Sequence, residues 1–170
     1  MSNQTVTEAK ATDHRAGKHL TFMLSKEEFG FEILKVKEII GMMTITAIPK
    51  MPIYVKGVTN LRGQVIPVID LRLKFGMPET EQTPETCIIV VDVDGSLIGV
   101  IVDQVSEVLD INAEDIEDAP QFGLKIDTNF ILGMGKAKGS VKILLDINKV
   151  LNDSEAVITS IASEEVSETR

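Results

Sequence analysis

Apolar and polar positions alternate in short runs along most of this chain, and the runs come in pairs. HLTFML (19–24) and EFGFEI (28–33) flank the polar Ser25-Lys26-Glu27. VKGVTNLR (55–62) and QVIPVIDL (64–71) flank Gly63, and CIIVVDV (87–93) and SLIGVIVD (96–103) flank Asp94-Gly95. FILGMGKAK (130–138) and VKILLDI (141–147) flank Gly139-Ser140. Each pair reads as a β-hairpin, and Asp-Gly is the preferred dipeptide of a tight turn with positive φ at both central residues. Helical signals are few and short, at 34–38, 52–55, 71–75 and 146–151. Pro67 has no amide proton, which predicts a sheet edge or a bulge there.

The pattern occurs twice. At an offset of 69, FGFEILKVKEII (29–40) lies over IGVIVDQVSEVL (98–109). At an offset of 76, YVKGVTNLRGQVIPVIDL (54–71) lies over FILGMGKAKGSVKILLDI (130–147) without a gap. The change of offset places seven extra residues in the second copy, between about 110 and 129. Strands at short spacing, joined by glycine turns and duplicated, predict an all-β chain of two small packed barrels with a few short helices. The copies span about 18–78 and 84–152, joined by FGMPETEQTPET (75–86). The pattern is compatible with each copy closing on itself or with the first strand of one crossing to complete the other. Residues 1–17 read as a polar arm and residues 153–170 as an acidic tail.

Composition narrows the function. The chain has 170 residues and a formal charge of −9. That charge opposes nucleic-acid binding, which needs a basic face, and docking on an anionic membrane. It is unevenly spread: residues 75–124 hold twelve acids and no Lys or Arg, whereas 18–74 hold nine basic and five acidic residues. No apolar run reaches the length of a transmembrane helix, and the first residues lack the apolar core of a signal peptide. A single cysteine, Cys87, excludes an internal disulfide and fits a cytoplasmic setting.

Little in the chain suggests catalysis. The only histidines, His14 and His19, fall in the arm and at the edge of the first strand, and neither has a partner for a nucleophile–base pair. Cys87 opens an apolar strand and reads as an inert thiol. Asp92-Val93-Asp94-Gly95 lacks the spacing of a calcium loop and reads as a turn. Glu114, Asp115, Glu117 and Asp118 read as a solvated loop. The glycines at 133, 135 and 139 belong to a repeated hairpin, with no helix start to make a phosphate cradle. No cofactor or metal is expected. What remains is binding: Ile39, Ile40, Met42 and Met43 form an apolar run that is as well suited to docking as to the core.

VKEII (36–40), PKMP (49–52) and above all YVKGVTNLRGQVIPVIDLRLKFG (54–76) resemble the CheW family of chemotaxis coupling proteins. TCIIVV (86–91), IGVIVDQVSEVL (98–109), FILGMG (130–135) and ILLDINKVL (143–151) extend the resemblance over nearly all of 18–152. It implies two packed SH3-like five-stranded barrels and a non-enzymatic adaptor. Such an adaptor couples the cytoplasmic tips of methyl-accepting chemoreceptors to the regulatory domain of a histidine autokinase, in arrays beneath the inner membrane.

By the same resemblance, Val36, Glu38, Gly57, Arg62 and Val108 match positions tied to receptor or kinase coupling. Ile39, Met42, Met43, Asn60 and Val105 join them as candidate partner contacts, and Val36, Ile39 and Val105 or Val108 would line a groove between the barrels. Phe122 falls in the seven-residue insertion, a region used by related proteins in a second ring contact. Cys87 stands where the family often has an aliphatic groove residue. Because Glu38 aligns with Glu107 and Arg62 with Lys138, Glu38 and Arg62 are expected within ion-pair reach on the coupling face. Gly57 is expected to need its missing side chain for close approach or positive φ. The competing readings are a small-ligand-binding or enzymatic barrel, an RNA-binding module, and a coupling adaptor of a non-flagellar chemosensory pathway.

Overall fold

A computed structural model describes residues 14–119 and 128–152. Most of the arm, the tail and Phe122 therefore lie outside the described residues. The strands are β1 (Gly17–Leu24), β2 (Glu27–Glu32), β3 (Val36–Gly41), β4 (Val55–Leu61), β5 (Gln64–Asp70), β6 (Cys87–Val93), β7 (Ser96–Val102), β8 (Gln104–Ile111), β9 (Ile116–Glu117), β10 (Ile131–Ala137) and β11 (Ser140–Leu145). Two short helices, α1 (Leu71–Lys74) and α2 (147–152), follow β5 and β11. Each is capped by an aspartate: Leu73 N donates to Asp70 Oδ1, and Asn148 N and Lys149 N donate to Asp146 Oδ1.

The strands form two sheets, ordered β3-β6-β7-β5-β4 and β8-β1-β2-β11-β10-β9. The chain is all-β with two small barrels, as its pattern predicts. The sheets do not coincide with the two copies in the sequence, however. The β1–β2 hairpin of the first copy sits in the sheet of β8, β10 and β11, and the β6–β7 hairpin of the second copy sits with β3, β4 and β5. The exchange is reciprocal, so a pseudo-twofold relates the barrels.

The equivalence extends to single residues. The parallel rung Val68–Gly99 recurs as Leu144–Gly30. The register shift between Val36 and Glu38 on β3 recurs between Leu20 and Phe22 on β1, opposite Val108 and Val105, and that between Val55 and Gly57 recurs between Ile131 and Gly133. One barrel has a sixth strand where five were expected. That strand, β9, has only two residues, and its counterpart is the single bridge Thr46–Val58.

Three local expectations need correction. Residues 34–38 form a 3₁₀ turn (Ile33–Lys35) and then edge strand β3, whose side chains alternate between half-buried and exposed. That period of two outweighs the helical signal. Residues 52–55 form a turn that leads into β4. Pro67 lies in β5, between β4 and β7, and so is neither at an edge nor at the bulge. It sits where the parallel ladder with β7 stops: that ladder starts at Val68, whereas in the other copy Ile143, the equivalent of Pro67, pairs with Phe29. The missing donor moves the ladder one position along the strand, and both ladders keep three rungs, Val68 to Asp70 in one and Ile143 to Leu145 in the other.

Burial explains the long apolar runs. Ile89, Val91, Ile69 and Leu145 face a core shared by both sheets, with Phe22, Phe29 and Phe31. Their neighbours Ile88, Val90 and Val68 face the interior of the five-stranded barrel, and Leu144 faces that of the six-stranded barrel with Leu109, Ile111 and Ile116. Strands buried on both faces lose the polar alternation of surface strands.

The two barrel interiors differ in character. Ile66, Ile88 and Val90 of one are replaced at the equivalent positions of the other by Lys142, His19 and Thr21, all buried. Thr21 is matched to its site. Its hydroxyl donates to Glu107 O at 2.8 Å and accepts from Glu107 N at 3.2 Å, which satisfies the backbone freed by the bulge. His19, expected at a strand edge, is 1% exposed. Burial holds its pKa below the ordinary 6.5.

Candidate functional site

The site is built at the seam of each barrel. In the five-stranded sheet the edge strands are β3 and β4. Arg62, in the turn after β4, reaches across to Glu38 on β3 and donates from Nη2 to Oε1. The turn fixes this reach. Arg62 and Gly63 both have positive φ, 50° and 87°, and Gly63 N donates to Asn60 Oδ1 at 2.7 Å. Glu38 comes out of a bulge, which re-aims its side chain towards the seam. The hydrogen bond with Glu38 raises the pKa of Arg62 above its ordinary value. Glu38 and Arg62 thus meet as the sequence predicts.

The second seam repeats the first. Glu107 on edge strand β8 accepts from Lys138 Nζ at 2.6 Å. Lys138 and Gly139 again have positive φ, 51° and 79°. Beside each pair stands an exposed aliphatic side chain, Ile39 at 46% and Val108 at 48% exposure. Each hairpin adds another, Val65 and Val141, which are also equivalent by position and exposed. The sequence reading missed Val65 and Val141. The signal was available in their shared offset and in their outward phase at the start of β5 and β11.

The remaining candidates fall in three places. Val36 and Val105, equivalent positions, are half-buried against the shared core where the sheets meet. Cys87 also packs there, and burial raises its thiol pKa, in keeping with an unreactive group. Met42 and Met43 pack with Ile40 and Ile45 against the core of the five-stranded barrel. Their loop is tied down by Thr59 Oγ1 donating to Thr44 O at 2.8 Å. The apolar run therefore divides: Ile39 faces out, while the methionines lie half-buried against the barrel core. Gly57 has φ 139°, and a Cβ there would stand 1.9 Å from Thr46 O. Both reasons expected for this glycine hold.

A small cavity of about 120 Å³ lies among Lys56, Asp70, Arg72 and Asp103. These four charges are already engaged: Lys56 Nζ meets Glu79 Oε1 at 2.8 Å, Arg72 meets Asp103, and Asp70 caps α1. Burial holds Asp70 above its ordinary 3.8. Among the described residues no group of three His, Cys, Asp or Glu is placed to hold a metal ion. The acidic segment expected as a loop forms a 3₁₀ turn (Ala113–Asp115) and strand β9, where Glu117 pairs with Lys136 and, just beyond it, Asp118 with Arg15. No helix among the described residues is long and apolar enough to cross a membrane.

A family model described as "CheW-like domain" matches residues 18–155. The chain is 41% identical over 144 residues to the chemotaxis protein CheW of Klebsiella aerogenes, a match covering 84% of this chain and 87% of that one. It is 36% identical to chemotaxis protein CheW of Bacillus subtilis, covering 79% and 86%. The crystal structure of the scaffolding protein TtCheW from Thermoanaerobacter tengcongensis superposes with a TM-score of 0.74 at 35% identity, covering 80% of this chain and 92% of that one. Two SH3-like barrels without a catalytic constellation among the described residues, and with a paired seam on each, are thus matched along their length: this chain belongs to the CheW family of non-enzymatic chemotaxis scaffold proteins.

Proposed function

We propose that this chain couples methyl-accepting chemoreceptors to the regulatory domain of a histidine autokinase, in cytoplasmic arrays beneath the inner membrane. The observation that carries the reading is the duplicated seam. A bridging protein needs two surfaces, and each seam combines exposed aliphatic area with a charged pair. Apolar contact supplies affinity and the flanking charges select the partner. The seams are alike in plan and different in detail: Ile39, Val65 and an Arg–Glu pair on one, Val108, Val141 and a Lys–Glu pair on the other. That difference supports two distinct partners. A receptor tip is a helical hairpin, and the junction at Val36 and Val105 suits one face of a helix.

The test is reconstitution with receptor-bearing membranes and purified kinase. The wild-type chain should sediment with the membranes and raise kinase autophosphorylation. Ile39→Asp and Val108→Asp should each weaken a different association while both variants stay folded. Failure of the wild-type chain to join the pellet or to stimulate the kinase would refute the coupling role.

A further inference from the structure

Asp103 occupies the corner between β7 and β8 and gathers four segments of the chain. Arg72 on α1 grips its carboxylate with two hydrogen bonds, Nε to Oδ1 at 2.7 Å and Nη2 to Oδ2 at 2.9 Å. Ser25 N, in the β1–β2 turn, donates to Oδ2 at 2.7 Å. The Asp103 amide donates to Met23 O at 3.1 Å. The third arm of Arg72, Nη1, donates to Pro78 O in the linker at 3.0 Å. The two side chains are only 14% and 27% exposed, and a bidentate charged pair so shielded is directional and strong.

The pseudo-twofold supplies an internal control. The position equivalent to Asp103 is Leu34, in the 3₁₀ turn before β3, and the position equivalent to Arg72 is Asn148, at the start of α2. Leu34 is 88% exposed. Asn148 Oδ1 is buried with no hydrogen-bond partner among the described residues. One corner is pinned by five hydrogen bonds around a single ion pair. The matching corner has neither that acid nor that base, and the ion pair that ties the start of β3 to β6, Lys37 Nζ to Asp92 Oδ2, is longer, at 3.7 Å, and more exposed.

We propose that Arg72 and Asp103 form a one-sided lock. It fixes the start of β8, and the start of β3 is left as the compliant edge. The two seams, equivalent in plan, then respond differently to load. β8 acts as a fixed rail, while β3, which carries Val36 and Ile39, can shift against the shared core. The inference concerns the free protein and does not depend on which partners bind.

Hydrogen exchange on the full chain, read residue by residue and corrected for intrinsic rates, tests it. Amides of 33–36 should exchange about tenfold faster than those of 102–105. Grafting the lock with Leu34→Asp and Asn148→Arg should slow exchange at 33–36 by about tenfold, and Leu34→Asp alone should not. Arg72→Lys, which keeps the charge and loses the fork, should speed exchange at 102–105 and leave 33–36 unchanged. Equal protection at the two corners of the wild-type protein would overturn the proposal. So would a folded graft with unaltered exchange at 33–36, or, if the graft fails to fold, an Arg72→Lys variant that leaves 102–105 as protected as before.

Discussion

The guanidinium of Arg62 lies on the carboxylate of Glu38 across the open side of a five-stranded sheet, so the two edge strands are joined by side chains where no backbone ladder joins them. The pair is exposed, with Arg62 at 69% and Glu38 at 31%, and solvent screens its contribution to folding. Its consequence is the shape and charge of the surface. Glu38→Arg and Arg62→Glu should each leave the thermal midpoint nearly unchanged and reduce kinase stimulation in the reconstituted assay. The double reversal should recover more activity than independent losses allow. Recovery no better than the product of the single effects would show that the two residues do not act as a unit.

Gly57 offers a sharper stability test. Gly57→Ala places a methyl group against the Thr46 carbonyl and forces an L residue to positive φ, a loss of at least about 2 kcal/mol by urea denaturation. Gly63 also has positive φ but opens to solvent, so Gly63→Ala should cost only about 1 kcal/mol. Equal losses at the two sites would mean that φ alone matters and that the approach of Thr46 does not.

His19 predicts a pH dependence. Its Nδ1 lies 3.0 Å from Gly17 O, so Nδ1 carries the proton, and the buried Nε2 has no hydrogen-bond partner among the described residues. Burial depresses the folded pKa, against a smaller upward pull from the Gly17 carbonyl, Glu32 and Asp110. Below the ordinary 6.5 the unfolded chain takes up a proton that the folded chain resists. Stability should therefore be level above that pH and fall as pH drops through it, with a slope of at most about 1.4 kcal/mol per pH unit. Asp70, raised by burial, works in the opposite sense in the range above its own 3.8, so the comparison with His19→Asn isolates the histidine. Identical pH profiles for the two proteins would remove His19 from the account.

Lys142 is 3% exposed at the position where the other barrel has Ile66. Its ammonium reaches Ala137 O at 3.0 Å, the Ser140 hydroxyl, and Glu28 Oε2 at 3.5 Å. An apolar residue of similar length avoids the desolvation of a charge and leaves Glu28 facing water. Lys142→Met is expected within about 1 kcal/mol of wild type, on either side, whereas Lys142→Glu should cost about 3 kcal/mol or more. A large loss in Lys142→Met would show that the hydrogen bonds of the ammonium hold the β10–β11 turn.

The sequence made the hairpins, the repeat and the Glu38–Arg62 pair legible because each rests on local chemistry or on a fixed offset. Gly57 was legible for the same reason. The reciprocal exchange of hairpins was not, since β1–β2 and β6–β7 share one strand pattern, and the residues that suit each to its barrel, His19 and Thr21 against Ile88 and Val90, show their fit only once β8 lies beside β1. The burial of His19 was hidden because its neighbours alternate as an edge strand would, and only the placement of β8 beside β1 encloses it. The division between Ile39 and the methionines depends on where β3 ends at Gly41. The lock at Asp103 joins residues distant in sequence, which no periodicity reports.

The exchanged hairpins also govern how the protein is made. Phe29 on β2 takes its parallel neighbour Ile143 from β11, so the first hairpin leaves the ribosome more than a hundred residues before its barrel exists. At roughly 5–20 residues per second that is a wait of several seconds or more. Phe22, Phe29 and Phe31 then lack their final cover, because the shared core draws on strands from both copies. The five-stranded barrel has all its strands once Val102 is made and the six-stranded barrel only at Leu145, so a nascent fragment that stops at the linker holds neither finished barrel.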